Sequence, residues 1–157
     1  MKPYRIVLVL LVLGAQAQAQ GVSQSHAAMA MGFDQEKTAH HFYLYPDGGA
    51  IDVSVKDASD RKNLDAIRAH LPHIAEMFKT GDFSAPMLVH QTAAVPGAED
   101  LKRAKDRLTW RYRETPAGGR VEIETTDPAA LKAVHTFLRF QITDHKTGDS
   151  LEVKPRR

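Results

Sequence analysis

Eight histidines and no cysteine set the chemistry this chain can do. The histidines are His26, His40, His41, His70, His73, His90, His135 and His145. Residues three and four apart share one face of a helix, so His70, His73 and Met77 read as a stripe of two imidazoles and a thioether beside the apolar run Leu64, Ile67, Leu71 and Phe78. His40 and His41 open a strand, where neighbouring side chains point to opposite faces, so only one of them can join such a site. His90 is a further candidate from the central linker. A ligand set of imidazole and thioether without thiolate suits copper: thioether selects Cu(I), and imidazole accepts either oxidation state. The expected metal ligands are therefore His70, His73, Met77, His40, His41 and His90. The segment His26-Ala27-Ala28-Met29-Ala30-Met31 adds further donors of the same kind.

Other chemistries are poorly supplied. Without cysteine there is no thiolate zinc site, no iron–sulfur cluster, no covalent haem attachment and no thiol catalysis. Ser54, Ser59 and Ser84 lack a nucleophile motif, and Asp82, Asp127, Asp144 and Asp149 are accounted for by turns and caps. The reading is therefore a non-enzyme. Non-covalent haem binding is an alternative, with Phe83, Phe137 and Phe140 lining a pocket and His or Met as axial ligands. Another is a non-catalytic interaction module that receives a protein partner or a second copy on its sheet. His135, between Leu131 and Leu138, reads as a buried histidine bonded to a backbone carbonyl.

The elements that must position these residues follow from an internal repeat. Pro46-Asp47-Gly48-Gly49-Ala50-Ile51-Asp52-Val53 aligns without a gap on Pro116-Ala117-Gly118-Gly119-Arg120-Val121-Glu122-Ile123. Each copy reads as a hairpin. Ile51, Val53 and Val55 alternate with polar residues, as do Leu108, Trp110 and Tyr112, then Val121 and Ile123. The Gly-Gly pairs are expected to supply positive φ for the turns. A helix follows each hairpin. The first is capped by Asp57, Ser59 or Asp60 and ends at Gly81, with Pro72 expected to kink or split it. The second is capped by Asp127, starts at Pro128, turns Leu131, Val134, Leu138 and Ile142 inward, and runs on toward Gly148. The predicted class is α+β, with duplicated ββα units forming a four-stranded antiparallel sheet and two helices on one face. The alternative is two intertwined units that complete their sheets in a dimer.

With 157 residues the chain has room for one core. Lys2 and Arg5, the apolar run Ile6 to Leu13 and Ala15-Gln16-Ala17-Gln18-Ala19 read as a secretory signal peptide over residues 1–19. That run is too short to span a membrane. The predicted order is then a flexible segment 20–38, one domain 39–149 and a basic tail 150–157. Within the domain, repeat one is 40–80, the linker 81–106 and repeat two 107–148. The product is expected to be periplasmic or secreted. The formal charge of +2 falls to zero once Lys2 and Arg5 leave, 19 basic against 19 acidic groups, which argues against a nucleic-acid binder.

Met31-Gly32-Phe33-Asp34-Gln35, His40-His41-Phe42, Gly81-Asp82-Phe83, Ala133 through Ile142, Asp144-His145 and Thr147-Gly148-Asp149 together resemble a family of small secreted proteins commonly labelled aspartate carbamoyltransferase. The resemblance spans roughly residues 31–149 and implies a compact exported domain. It carries no carbamoyltransferase activity with it, because the Ser-Thr-Arg-Thr and His-Pro-x-Gln strings of those enzymes do not occur here.

Overall fold

The computed structural model describes residues 31–156. The signal-peptide reading, His26, Met29 and Arg157 lie outside the described residues. The chain builds strands β1 (Thr38–Tyr45) and β2 (Gly48–Val55), helix α1 (Arg61–Thr80), short helices α2 (Ser84–Val89) and α3 (Ala98–Arg103), and a 3₁₀ turn (Lys105–Arg107). Strands β3 (Thr109–Thr115) and β4 (Gly118–Glu124) and helix α4 (Pro128–His145) complete it. The four strands form one antiparallel sheet in the order β1-β2-β4-β3. One chain thus closes its own sheet, as the ββα duplication predicts.

The repeat is also a spatial symmetry. Strands β2 and β4 run antiparallel at the centre, with Ile51 opposite Val121. Helix α1 lies on β3 and β4, and α4 lies on β1 and β2, so each repeat covers the hairpin of the other. The turns answer each other as well: Val55 N–H donates to Ala117 O at 2.8 Å, and Thr125 N–H to Asp47 O at 2.9 Å.

This symmetry corrects the reading of the Gly-Gly pairs. The tight turns are Pro46-Asp47 and Pro116-Ala117, between the paired ends Tyr45 and Gly48 and the paired ends Thr115 and Gly118. The glycines instead open β2 and β4. A Cβ on Gly48 would lie 1.9 Å from Ile123 O, and one on Gly118 would lie 2.0 Å from Val53 O. Only a residue without a Cβ lets the two central strands approach so closely. Gly48 alone of the four also has positive φ, at 150°.

Helix α1 begins at Asp60, whose carboxylate accepts from Asn63 N–H, and ends at Gly81 in the left-handed conformation. It runs from Arg61 to Thr80 through Pro72, so of the expected kink or split the split does not occur. Proline removes one backbone hydrogen bond, but Leu64, Ile67 and Leu71 before it and Ile74, Ala75 and Phe78 after it are buried and hold both halves on the sheet. Helix α4 starts as expected, with Asp127 accepting from Ala130 N–H and Pro128 in the first turn, but it stops at His145, where Lys146 takes the left-handed cap. In the linker, the Met87-Leu88-Val89 run forms the end of α2.

The C-terminal end, predicted as a basic tail, is tied to the edge strand β1. Asp149 accepts from Phe42 N–H and Lys154 N–H donates to Leu44 O, both at 2.9 Å. Arg156 pairs with Asp47 and lies over the Tyr45 ring. An edge covered in this way is closed to pairing with another chain.

Candidate functional site

A pocket opens between α1, α4, the start of β1 and the linker. Its walls are apolar, with Phe33, Phe42, Leu71 and Phe137 among the lining residues, and four histidines reach it: His40, His70, His90 and His145. Met31 lines it too. The cavity has a volume of about 70 Å³.

His40 comes from β1, on the face turned toward the helices. Its ring lies 5.6 Å from that of His145, with planes 14° apart. Its Nε2 is buried and has no hydrogen-bond partner. Burial, reinforced by the neighbouring His145, His41 and His70, pushes the pKa of His40 down to about 3. His145, on the last turn of α4, is pushed down to about 4 by burial and by His90, with Asp144 opposing. His70, from the middle of α1, is also lowered, by burial first and His73 second. The cause is common to all three: a charged imidazole loses its hydration in an apolar wall. The rings are therefore neutral at physiological pH, and a neutral imidazole carries a lone pair that can bind a metal.

Of the expected ligands, the structure brings together His40, His70 and His90. His41 points to the opposite face, where its Nδ1 meets Asp149 Oδ1 at 2.9 Å. His73 is exposed and Met77 packs half-buried against the core, so the stripe His70, His73, Met77 does not form one site. A step of three residues turns the helix by about 60° away from alignment, enough to carry His73 from the pocket to solvent. His90 reaches the pocket with both nitrogens beside polar groups: Nδ1 lies 2.6 Å from Asp144 Oδ2, and Nε2 lies 2.9 Å from the Gln141 side-chain amide. It packs edge-on to His145 at 4.9 Å and holds the linker against α4. His135 is buried with Nε2 at 2.9 Å from Tyr45 O and 3.1 Å from Gly48 O, the structural histidine expected of it.

His145 is the residue that spacing did not select. The helices of the two repeats align 67 residues apart, Asp60 with Asp127 and Leu71 with Leu138, whereas the strands align 70 apart. With these offsets His145 corresponds to Phe78, His40 to Trp110 and His70 to Phe137. The two clusters are equivalent in space: Phe78 stands 5.1 Å from Trp110 and 5.9 Å from Phe137. The symmetry thus sets Phe78, Trp110 and Phe137 where its other half has His145, His40 and His70, and Phe78 and Phe137 also line the histidine pocket.

Among the described residues no three His, Cys, Asp or Glu side chains already converge as a metal-holding group, and no helix is long and apolar enough to cross a membrane. Compared with protein families, curated proteins and solved structures, the chain finds no match in any of the three.

Proposed function

We propose that this protein binds a copper ion in the histidine pocket and serves in sequestration or delivery outside the cytoplasm. The observation that carries the reading is the grouping of His40, His70 and His145 as neutral rings in one apolar pocket, with His40 Nε2 buried and unpartnered. A buried nitrogen without a partner costs stability, and a metal ion would satisfy it. The donors on offer, imidazoles and the Met31 thioether, suit copper better than the harder ions that favour oxygen. His40 and His145, whose rings are in direct contact, would hold the ion, His70 would line the pocket beside them, and Phe33 and Phe42 would keep water from it. The cavity of about 70 Å³ favours an ion over a porphyrin macrocycle many times that size, and the lack of an activated nucleophile favours binding over catalysis.

The test is a copper titration of the purified chain, with binding stoichiometry read by metal analysis after desalting. One equivalent is expected for the wild type, and loss of it in a His40→Phe/His145→Phe double variant. Binding that survives in the double variant would move the site elsewhere.

A further inference from the structure

We propose that His40 and His145 form a two-ligand site for a monovalent cation, Cu(I). This rests on the copper-binding reading above and narrows it to one oxidation state. Three observations converge on the pair. The first is separation. With metal–nitrogen distances of about 2 Å, two imidazoles sharing an ion place their ring centres roughly 5 to 6 Å apart. The His40 and His145 rings are 5.6 Å apart and near-parallel, with planes 14° apart, so the spacing suits a shared ion once a ring turns to bring both in-plane lone pairs onto it. His70, by contrast, has the Phe33 ring beside it at 5.7 Å, and that same ring lies 5.8 Å from His40.

The second is charge. No carboxylate lines the pocket, and Asp144 at its margin is engaged by His90. The cost of taking an ion out of water grows with the square of its charge, so a divalent ion would lose about four times what a monovalent one does. Zn(II) and Cu(II) recover that loss through four or more ligands that include anions or water. Cu(I), with a filled d shell, is content with two neutral nitrogens.

The third is the internal symmetry. The equivalent positions in the other half are Trp110 and Phe78, packed 5.1 Å apart. The fold fills this place with plain aromatic rings when only packing is required. Histidines at the same place supply lone pairs that packing does not use, at the expense of a buried, unpartnered Nε2.

The symmetry also provides the control, since His145→Phe copies Phe78 and His40→Phe puts an apolar ring where the other half has the larger Trp110, and both should fold. The experiment is a competition titration of the purified full chain against a chromogenic Cu(I) chelator under anaerobic reducing conditions. Ag(I) serves as a redox-inert analogue, and Zn(II) and Cu(II) are titrated in parallel. Cu(I) and Ag(I) are expected to bind one equivalent at least about 100-fold more tightly than Zn(II) or Cu(II), and each single variant to lose Cu(I) by a similar factor while unfolding cooperatively. X-ray absorption of the Cu(I) form should show two nitrogen neighbours. If Zn(II) or Cu(II) binds the same histidines as tightly as Cu(I), the monovalent site is wrong while metal binding stands. If none of the four ions binds, both readings fall. A His40→Phe or His145→Phe variant that folds and keeps full Cu(I) affinity overturns the pair.

Discussion

Acidification from pH 7.5 to pH 5.0 should destabilise this protein through His40 and His145 specifically. In the unfolded chain both rings titrate near their ordinary value of 6.5, whereas in the fold burial lowers them to about 3 and about 4. A lowered folded-state pKa means that the unfolded chain binds more protons throughout the interval between. The stability the two rings contribute is thus complete above about pH 6.5, erodes as pH falls below it, and is gone once pH passes below the folded values. At pH 5.0 the unfolded rings are almost fully protonated and the folded ones almost fully neutral, which costs about 2 kcal/mol for each, or about 4 kcal/mol together. Against a typical domain stability of about 5 to 15 kcal/mol, that is a large share. The assay is urea unfolding followed by the fluorescence of Trp110, the single tryptophan, at both pH values for the wild type and for His40→Phe/His145→Phe. Contributions from the other histidines and from the carboxylates are common to both proteins and cancel in the comparison. The wild type should lose about 4 kcal/mol more than the variant on acidification. Equal losses in the two proteins would refute the account of these rings as buried neutral bases.

Three further outcomes follow from the geometry. Gly118→Ala forces a Cβ to within 2.0 Å of Val53 O and should cost about 3 kcal/mol or more, with Gly48→Ala at least as severe, both read as a fall in thermal midpoint; a midpoint within two or three degrees of wild type, about 1 kcal/mol or less, would show that the central strands can part. His135→Ala strips Tyr45 O and Gly48 O of a shared donor and should cost about 2 to 3 kcal/mol in urea unfolding, whereas His73→Ala, at an exposed position, should change stability by less than about 0.5 kcal/mol. Asp149→Ala removes the acceptor for Phe42 N–H and for His41. It should release the C-terminal segment, seen as rapid cleavage after the exposed Glu152 by a glutamate-specific protease under conditions in which the wild type resists.

Much of the architecture can be read along the chain because its causes are local. The period-two alternation in Ile51, Val53 and Val55, the caps at Asp60, Asp127 and Gly81, and the Pro-x-Gly-Gly repeat state the strands, the helix ends and the duplication directly. Where local reasoning went astray, a distant residue was responsible. The Gly-Gly pairs answer to carbonyls on the facing strand, and Pro72 is carried by buried neighbours on both sides. Asp149 and Lys154 find backbone partners on an edge strand more than a hundred residues away.

The pocket shows the same division more sharply. The sequence by itself determined which donors are available, imidazole and thioether without thiolate, and that His40 and His41 must part to opposite faces of a strand. It also determined that His135 sits in the core. It could not determine which histidines meet, because the meeting place is assembled from β1, α1, the linker and the last turn of α4, and helical spacing describes only one of these. Tertiary structure drew His145 in and left His73 and His41 outside. It engaged both nitrogens of His90 and placed the remaining rings beside an aromatic cluster related to them by the internal symmetry. Proximity across the fold is set by how the two helices cover each other's hairpins, and that depends on the packing of the whole core.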